Sequence, residues 1–404
     1  MNSSENRILT THVGSLIRTP EIVELMIRRS LGESVDNADF EHTVASGVRD
    51  VVRRQAEVGI DIVDDGEYGK INWITYVAER VKGLERRPIP TAEQGTEEIW
   101  PEQRRFGGFY RIYEAHESLL WLPDVPSKAR YDGRPAVEFS NVVCAGPLRY
   151  DPTALQRDIR NLKAALQGLE VTDAFLPVVA PGSTELVKNL HYRSPEGFLF
   201  AMADVLAEEY RAIVDAGFIV QIDDAMLPMQ RAILFAGKSL AEYKRWAEVR
   251  IEALNQALKG IPPARSRYHI CFGSRNAPHT FDPALIDIID LVLKVNVGAY
   301  SIEASNVRHE HEWQIWKDVK LSTGKKIIPG VVGHATNVVE HPELVAQRIQ
   351  NFASLVGREN VIAGTDCGFS QGWSSARTHP EVQWAKLESL VEGARLASQR
   401  LWGR

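Results

Sequence analysis

The side chains best suited to bind a metal lie in three short segments at the ends of predicted strands. His269-Ile270-Cys271 and Thr365-Asp366-Cys367-Gly368 each carry a cysteine, and Ser301-Ile302-Glu303 supplies a carboxylate between them. Because alternate residues of a strand point to the same face, His269 and Cys271 project together. One imidazole, two thiolates and one carboxylate form a suitable four-ligand set for Zn²⁺. The sequence therefore predicts that His269, Cys271, Glu303 and Cys367 bind zinc.

Other histidines could compete for this role. His279, His309 and His311 are the rival ligands. The last two belong to the charged run 308–312, which resembles a helix start, and a solvated helix face is the favoured interpretation. The remaining cysteine of the chain, Cys144, follows two valines and is expected to pack in the core.

Polar residues also end other predicted strands. They include His12 and Ser15, the group Asp64, Asp65 and Glu67, the pair Asp223 and Asp224, and His334. A single buried polar residue is usually satisfied by structural hydrogen bonds, but each uncompensated buried carboxylate is costly. Seven successive strands that end in this way therefore indicate one shared site.

The elements that must position these residues alternate along the chain. Strand candidates are 8–13, 60–64, 138–144, 173–179, 218–223, 267–271, 298–303, 327–332 and 361–364, and helix candidates are 38–57, 195–216, 240–258, 340–356 and 378–400. Alternating strands and helices predict a parallel sheet with right-handed crossovers. So many units predict an α/β fold of the (β/α)8 (TIM) barrel type. Nine strand candidates exceed eight, and 138–144 is the one expected outside the barrel.

One segment, 84–136, breaks this alternation. It is rich in proline and in aromatic residues, and the aromatic content argues against disorder. Two interpretations are open: an insertion packed on the barrel or at a subunit interface, or a lid that shapes a substrate pocket. The predicted organisation is therefore a single catalytic barrel over residues 1–404 with an insertion at 84–136.

The bulk properties exclude several classes of function. The chain has 404 residues, 44% of them hydrophobic and 25% charged, which is typical of a globular protein. A formal charge of −6 provides no basic face for nucleic acid. No apolar run reaches the ~18 residues of a membrane span, and no signal peptide is expected. Three cysteines do not form a disulfide framework, which favours the cytoplasm.

Taken in order, the motifs resemble a known family. They are Thr10-Thr11-His12-Val13-Gly14-Ser15, Asp65-Gly66-Glu67, Gln221-Ile222-Asp223, His269-x-Cys271, Ser301-Ile302-Glu303, His334 and Asp366-Cys367-Gly368. The set is similar to the catalytic C-terminal barrel of cobalamin-independent methionine synthase, over nearly the whole length apart from 84–136. The resemblance implies a (β/α)8 barrel of the methionine synthase and uroporphyrinogen decarboxylase type, with zinc held by His269, Cys271, Glu303 and Cys367.

The resemblance also implies a substrate and a mechanism. Ser15, Glu67 and Asp223 match positions that hold the carboxylate and amine of homocysteine, and His334 matches a histidine that handles a proton during methyl transfer. A free thiol is mostly protonated at neutral pH, and zinc activates it by removing that proton. The expected reaction is therefore transfer of a methyl group to homocysteine from a methyl-tetrahydrofolate, with Asp223 and His334 in catalysis.

Some residues depart from the family's pattern. The long form of the enzyme has a further N-terminal half, so this chain is expected to be the short, single-barrel form. His12 stands where the long form carries threonine and is expected to shape the substrate pocket. Arg18 is a candidate for binding a sulfonate-bearing thiol such as coenzyme M, although pairing with Glu21 or capping the top of the barrel explains it equally well.

Three alternative functions remain. The zinc-thiolate step could act on another thiol or donor, as in an epoxide:coenzyme M transferase or a demethylase. The barrel could bind a metal or thiol without catalysis, although Asp223 and His334 would then have no role. A uroporphyrinogen decarboxylase activity leaves the Cys, His and Glu set unexplained. The sequence leaves open the oligomeric state, including a homo-oligomer, and the need for a helper protein.

Overall fold

The computed structural model describes residues 3–30, 33–87, 101–116, 142–372 and 377–403. The strands of these residues fall within or beside the predicted strand segments, with two additions, Val81–Arg86 and Lys188–Asn189. In chain order they are β1 (Leu9–Thr10), β2 (Ile62–Val63), β3 (Val81–Arg86), β4 (Val142–Tyr150), β5 (Asp173–Val179), β6 (Lys188–Asn189), β7 (Ile219–Asp223), β8 (Ser266–His269), β9 (Ala299–Glu303), β10 (Lys326–Val332) and β11 (Ile362–Thr365).

Eight of these strands form a closed parallel barrel. Their order is β1-β11-β10-β9-β8-β7-β5-β2, and a parallel bridge between Thr11 and Ile62 joins the two end strands. Side chains reinforce this seam between β1 and β2: Thr11 Oγ1 donates to Ile62 O at 2.9 Å, and Thr10 N donates to Asp61 Oδ2 at 2.8 Å. The predicted (β/α)8 barrel is confirmed, and the candidate at 138–144 corresponds to β4, which lies outside it.

The barrel interior has an apolar layer and, further along the strands, a polar layer. The apolar layer takes one side chain from each of seven strands: Leu9, Ile62, Phe175, Ile219, Ala299, Ile328 and Ile362. Two residues further along β7 lies Gln221, and two beyond it Asp223, so strand periodicity aims all three toward the barrel axis. Arg267 lies in the polar layer, with its guanidinium carbon 3.6 Å from the centre of the Phe175 ring.

Eleven α-helices are described. In chain order they are α1 (Pro20–Ser30), α2 (Asn37–Val58), α3 (Pro101–Arg105), α4 (Gly107–His116), α5 (Thr153–Ala165), α6 (Pro195–Asp215), α7 (Met226–Ala232), α8 (Leu240–Ala257), α9 (Leu285–Val292), α10 (Pro342–Val356) and α11 (Pro380–Trp402). Five of them, α2, α6, α8, α10 and α11, agree closely with the five predicted ones. In α2, Phe40, Val44 and Val48 are buried along one face, as their spacing predicts. The Asp36 side chain caps its first turn, and Gly59 ends it with a φ of 99°.

The segment predicted as an irregular insertion, 84–136, is partly regular. Residues 84–86 belong to β3, which pairs antiparallel with β4, because Leu84 lies opposite Cys144. Cys144 is buried, as expected. Helices α3 and α4 form the middle of the segment, whereas 88–100 and 117–136 lie outside the described residues. Among the helices that the structure describes, none is long and apolar enough to cross a membrane.

Candidate metal and substrate site

A cavity of about 250 Å³ opens at the C-terminal ends of the barrel strands. Six of the ten residues predicted for the site line it: Ser15, Glu67, Asp223, His269, Cys271 and Cys367. The other four, His12, Arg18, Glu303 and His334, are buried but are not among its lining residues. The strand ends therefore bring most of the predicted site together in one place.

Three side chains on this wall could share a metal ion. Ligand atoms of His269, Cys271 and Cys367 all lie within 4.8 Å of one another, and all three residues are buried. His269 Nδ1 lies 3.1 Å from Ser301 Oγ, whereas His269 Nε2 is buried without a hydrogen-bond partner. A hydrogen bond to Ser301 on one ring nitrogen leaves the other available to a metal.

The two thiols of this group are hydrogen-bonded to each other. A hydrogen bond from Cys271 lowers the pKa of Cys367 well below its usual range, and His269 acts in the same direction. The same pairing raises the pKa of Cys271. The lowered pKa of Cys367 favours its thiolate, the form in which a cysteine binds a metal.

Glu303 lies beside this group but does not join it. Its two carboxylate oxygens accept hydrogen bonds from Phe272 N at 2.7 Å and from Asn306 Nδ2 at 2.9 Å. Its negative charge nevertheless contributes to the raised pKa of Cys271. The assignment of Glu303 as the fourth ligand stays a prediction, because its oxygens are held by the loops that follow β8 and β9.

Two buried carboxylates line the same cavity. Glu67 Oε2 has no hydrogen-bond partner although it is buried, and Glu67 has a positive φ of 57°. A non-glycine residue in this region carries strain that functional sites commonly retain. Asp223 Oδ1 accepts a hydrogen bond from Gln221 Nε2 at 2.7 Å, and burial, assisted by the charge of Glu67, raises the pKa of Asp223 to about 8. The pair is suited to receive a cationic or hydrogen-bond-donating group.

Ser15 contacts the segment that carries Cys367. Ser15 O accepts a hydrogen bond from Phe369 N at 2.7 Å. A Cβ atom placed on Gly368 would lie 2.0 Å from Ser15 Oγ. Glycine at position 368 therefore permits the close approach of Ser15 to the segment that carries Cys367.

His334 is buried close to these groups. Neither of its ring nitrogens has a hydrogen-bond partner, although a buried imidazole normally finds one. Burial lowers its pKa, and the charges of Cys367 and Glu303 oppose that effect. His334 is thus a neutral imidazole at neutral pH, with polar atoms that the protein itself does not satisfy.

His12 and Arg18 are buried behind the residues that line the cavity. His12 Nε2 lies 2.8 Å from Gln55 Oε1, Gly14 N donates to His12 Nδ1 at 3.2 Å, and burial lowers the pKa of His12 to about 4. Arg18 donates to Glu67 O at 2.8 Å and to Lys70 O at 2.9 Å. The structure places His12 against helix α2 and Arg18 between loops, and neither residue lines the cavity.

The run 308–312 is exposed at Arg308 and His311, as predicted, but not along its whole length. His309 and Glu312 are buried, and the His309 ring stacks on Phe272 with centroids 3.7 Å apart. His309 Nε2 and His279 Nδ1 lie 3.2 Å and 2.6 Å from Asp282 Oδ2. Both histidines are therefore engaged in a network of ion pairs behind Glu303 and not in the metal group.

Several further residues of the cavity wall were not predicted as site residues. They are Met226, Met229, Arg275, Gln371 and Arg377. They lie in loops and a short helix beyond the strands, where periodicity carries no information about direction. Trp73 also lines the cavity.

Comparison with known proteins decides the family. Residues 8–88 and 191–394 match the family model described as "Cobalamin-independent synthase, Catalytic domain". The chain belongs to this family. It is 25% identical over 398 residues to a protein of Saccharolobus solfataricus named methionine synthase, with 97% of this chain and 95% of the relative covered.

Two further likenesses agree with the family. A Thermotoga petrophila protein, named 5-methyltetrahydropteroyltriglutamate–homocysteine methyltransferase, is 23% identical over 375 residues, which are 90% of this chain and 42% of the relative. A solved B12-independent methionine synthase from Shewanella sp. W3-18-1, in complex with selenomethionine, superposes with a TM-score of 0.68 at 18% identity, covering 98% of this chain and all of that one. At that identity the likeness shows the shared fold.

Proposed function

We propose that this chain transfers a methyl group from a methyl-tetrahydrofolate to the thiol of homocysteine, with zinc as its metal. One observation carries the proposal: the group His269, Cys271 and Cys367 lies on the wall of the same cavity as the buried carboxylates Glu67 and Asp223. A thiol-binding metal site thus faces groups suited to an amine. The names of the relatives, methionine synthase and homocysteine methyltransferase, support the same reaction.

The residues present fit zinc. His269 Nε2 is a buried nitrogen without a partner, and two sulfurs with one imidazole form a donor set that zinc prefers. Glu303 is the proposed fourth donor, because a carboxylate oxygen has more than one lone pair and can accept a bond beside its present ones. Zinc supplies a positive charge that makes a bound thiol a nucleophile at neutral pH.

Amino-acid recognition is assigned to Ser15, Glu67 and Asp223. The unsatisfied oxygen Glu67 Oε2 is a ready acceptor for a substrate ammonium group, since a buried carboxylate oxygen without a donor costs free energy. Asp223 is oriented by Gln221, whose amide NH₂ must face it because Gln221 Oε1 accepts from Arg267 Nε at 2.7 Å. The amine of homocysteine would satisfy both carboxylates.

His334 is assigned to proton handling. When a methyl group leaves a folate nitrogen, that nitrogen requires a proton. The neutral ring of His334, buried beside the cavity with both nitrogens unsatisfied, can accept a proton and pass one on.

Zinc K-edge X-ray absorption on the purified protein, with and without homocysteine, tests the proposal. We expect two sulfur ligands at rest and a third when homocysteine is added. A Cys367→Ser variant should lose one sulfur, whereas Cys144→Ser, a buried thiol outside the group, should leave the spectrum unchanged. Glu67→Gln should weaken homocysteine entry without altering the resting site.

Each failure has a distinct meaning. A two-sulfur site that homocysteine does not change would contradict homocysteine as the acceptor and require a panel of other thiols. Zinc without sulfur ligands, or no zinc, would contradict the metal site itself. Product mass after incubation with methyl-tetrahydrofolate then tests the donor.

A further inference from the structure

An arginine lies on the cavity wall within the loop that follows the metal ligand Cys271. Arg275 lines the cavity, and its side chain is 13% exposed. Its neighbour Ser274 donates a hydrogen bond to Cys367 Sγ at 3.4 Å. A second guanidinium, that of Arg377, lines the same cavity and is tied to this loop, since Arg377 Nε donates to Ser274 O at 3.0 Å. Positive charge therefore gathers at this side of the cavity.

Helices α3 and α4 contact this loop, which carries Arg275 and Thr280, from outside the barrel. Glu102 is 1% exposed, and one of its carboxylate oxygens accepts from the backbone N–H of Thr280 and from Thr280 Oγ1. Its other oxygen accepts from Tyr110 Oη at 2.8 Å. Burial and the contact with Glu102 raise the pKa of Tyr110, so this hydroxyl stays protonated and donates.

Tyr110 links Glu102 to Arg275 through two hydrogen bonds. Arg275 Nη1 donates to Tyr110 Oη at 3.1 Å and lies 3.6 Å from Glu102 Oε2. A buried carboxylate is costly unless it is paired and hydrogen-bonded. Glu102 is paired with Arg275 and hydrogen-bonded by Thr280, and both partners belong to the loop that follows β8. Helix α3 and the cavity wall are therefore coupled by charge as well as by packing.

These helices lie outside the segments matched by the family model, 8–88 and 191–394. The group His269, Cys271 and Cys367 lies within those segments, as do Glu67 and Asp223. Helices α3 and α4 reach the cavity wall through the ion pair between Glu102 and Arg275. They are therefore placed to influence substrate selection, whereas the matched segments contain the residues assigned to the chemistry.

We propose that Arg275 binds an anionic group, a carboxylate or a sulfonate, of one substrate of the methyl transfer, and that Glu102 and Tyr110 are positioning residues for it. The proposal rests on the proposed function, because it assigns an anionic group to one of that reaction's two substrates. A guanidinium has five N–H donors in a planar fork, so Arg275 can contact Tyr110 and an oxyanion together. In a partly buried cavity such a contact is only weakly screened.

The anion belongs either to the thiol acceptor or to the methyl donor, and two measurements distinguish them. The first is calorimetric titration of the zinc-loaded protein, without donor, with homocysteine and with 3-aminopropane-1-thiol, which retains the thiol and amine but lacks the carboxylate. The second is the KM for 5-methyltetrahydrofolate at saturating homocysteine. Arg275→Gln is the test variant, and Arg105→Gln, an exposed arginine of α3, is the matched control.

If Arg275 holds the acceptor, Arg275→Gln raises the Kd of homocysteine about 10- to 100-fold, the range for a charged hydrogen bond, and leaves that of 3-aminopropane-1-thiol unchanged. If it holds the donor, both thiol Kd values stay unchanged and the KM for 5-methyltetrahydrofolate rises by a similar factor. Glu102→Gln and Tyr110→Phe should shift the same constant by a smaller factor, and Arg275→Lys should retain part of the affinity.

The results that overturn the inference are equally specific. Homocysteine binding and donor KM that are both unaffected by Arg275→Gln would overturn it alone. Equal loss of homocysteine and 3-aminopropane-1-thiol binding would show only a structural role for Arg275 and also overturn it. A wild-type protein that binds no thiol would overturn the proposed function, and this inference with it.

Discussion

Gly368→Ala should separate substrate binding from metal binding. The new Cβ would lie 2.0 Å from Ser15 Oγ and 3.2 Å from both Ser15 Cβ and Ser15 N. Rotation of the Ser15 side chain removes the first clash but not the other two. The loop that carries Ser15 must therefore move away from the segment that carries Cys367, and the hydroxyl must shift by about 1 Å or more to reach van der Waals distance.

The size of the effect follows from this displacement. Overpacking of a filled site costs about 1–3 kcal/mol of stability, and a misplacement of ~1 Å at a reacting centre can cost about 10²-fold in rate. We expect kcat/KM for homocysteine to fall about 100-fold in Gly368→Ala. Zinc content and the two-sulfur X-ray absorption signal should remain, because neither thiol nor His269 changes.

Two glycine variants serve as controls. In Gly393→Ala the new Cβ would lie 2.4 Å from Val345 Cβ, between helices α10 and α11 and outside the residues that line the cavity. It should destabilise the fold without changing kcat/KM of the folded enzyme. Gly108→Ala meets nothing within 4 Å and should change neither. A Gly368→Ala enzyme with wild-type kcat/KM for homocysteine would refute the assignment of Ser15 to the substrate site.

Two further predictions concern histidines. His334→Gln should lower kcat with methyl-tetrahydrofolate about 10²- to 10⁴-fold, the range for loss of a general acid or base, while calorimetry gives an unchanged homocysteine Kd; unchanged kcat would remove it from the mechanism. His309 is buried, which lowers its pKa, but hydrogen bonds to two carboxylates raise it to about 9. Because the pKa of His309 is higher in the folded state than in the unfolded state, its charged form stabilises the protein below about pH 6.5. This stabilisation is lost as pH rises through 9. The stability difference between wild type and His309→Gln in urea unfolding should therefore shrink by on the order of 3 kcal/mol from pH 6 to pH 10, whereas an equal difference at both would contradict the ion pairs.

The fold and the metal group could be predicted because both depend on periodicity. Alternating strands and helices defined the barrel, and the rule that chemistry sits at C-terminal strand ends brought His269, Cys271 and Cys367 together. Strand alternation also aimed Asp223 into the cavity, two residues beyond Gln221. These residues are placed by elements whose direction the sequence encodes.

The remaining features depend on contacts between loops, which periodicity does not specify. Glu303 accepts from the backbone of Phe272 in the preceding loop, and Glu102 meets Thr280 across 178 positions of sequence. His309 was expected at the surface from its charged neighbours, but stacking on Phe272 buries it. Each of these outcomes is set by tertiary packing of residues whose local sequence is compatible with several environments.

The closure of the barrel between β1 and β2 limits how this enzyme can diversify. Few ladder bonds join the two strands, and the loops that follow them supply much of the connection, since Leu16 N donates to Gly66 O at 3.1 Å and Tyr68 Oη donates to Ile17 O at 2.8 Å. Those loops also carry Ser15 and Glu67. Changes that retune this half of the pocket therefore loosen the barrel as well, a trade-off between stability and activity. The loop after β8, which meets helices α3 and α4, lies on the opposite side of the barrel and takes no part in this seam.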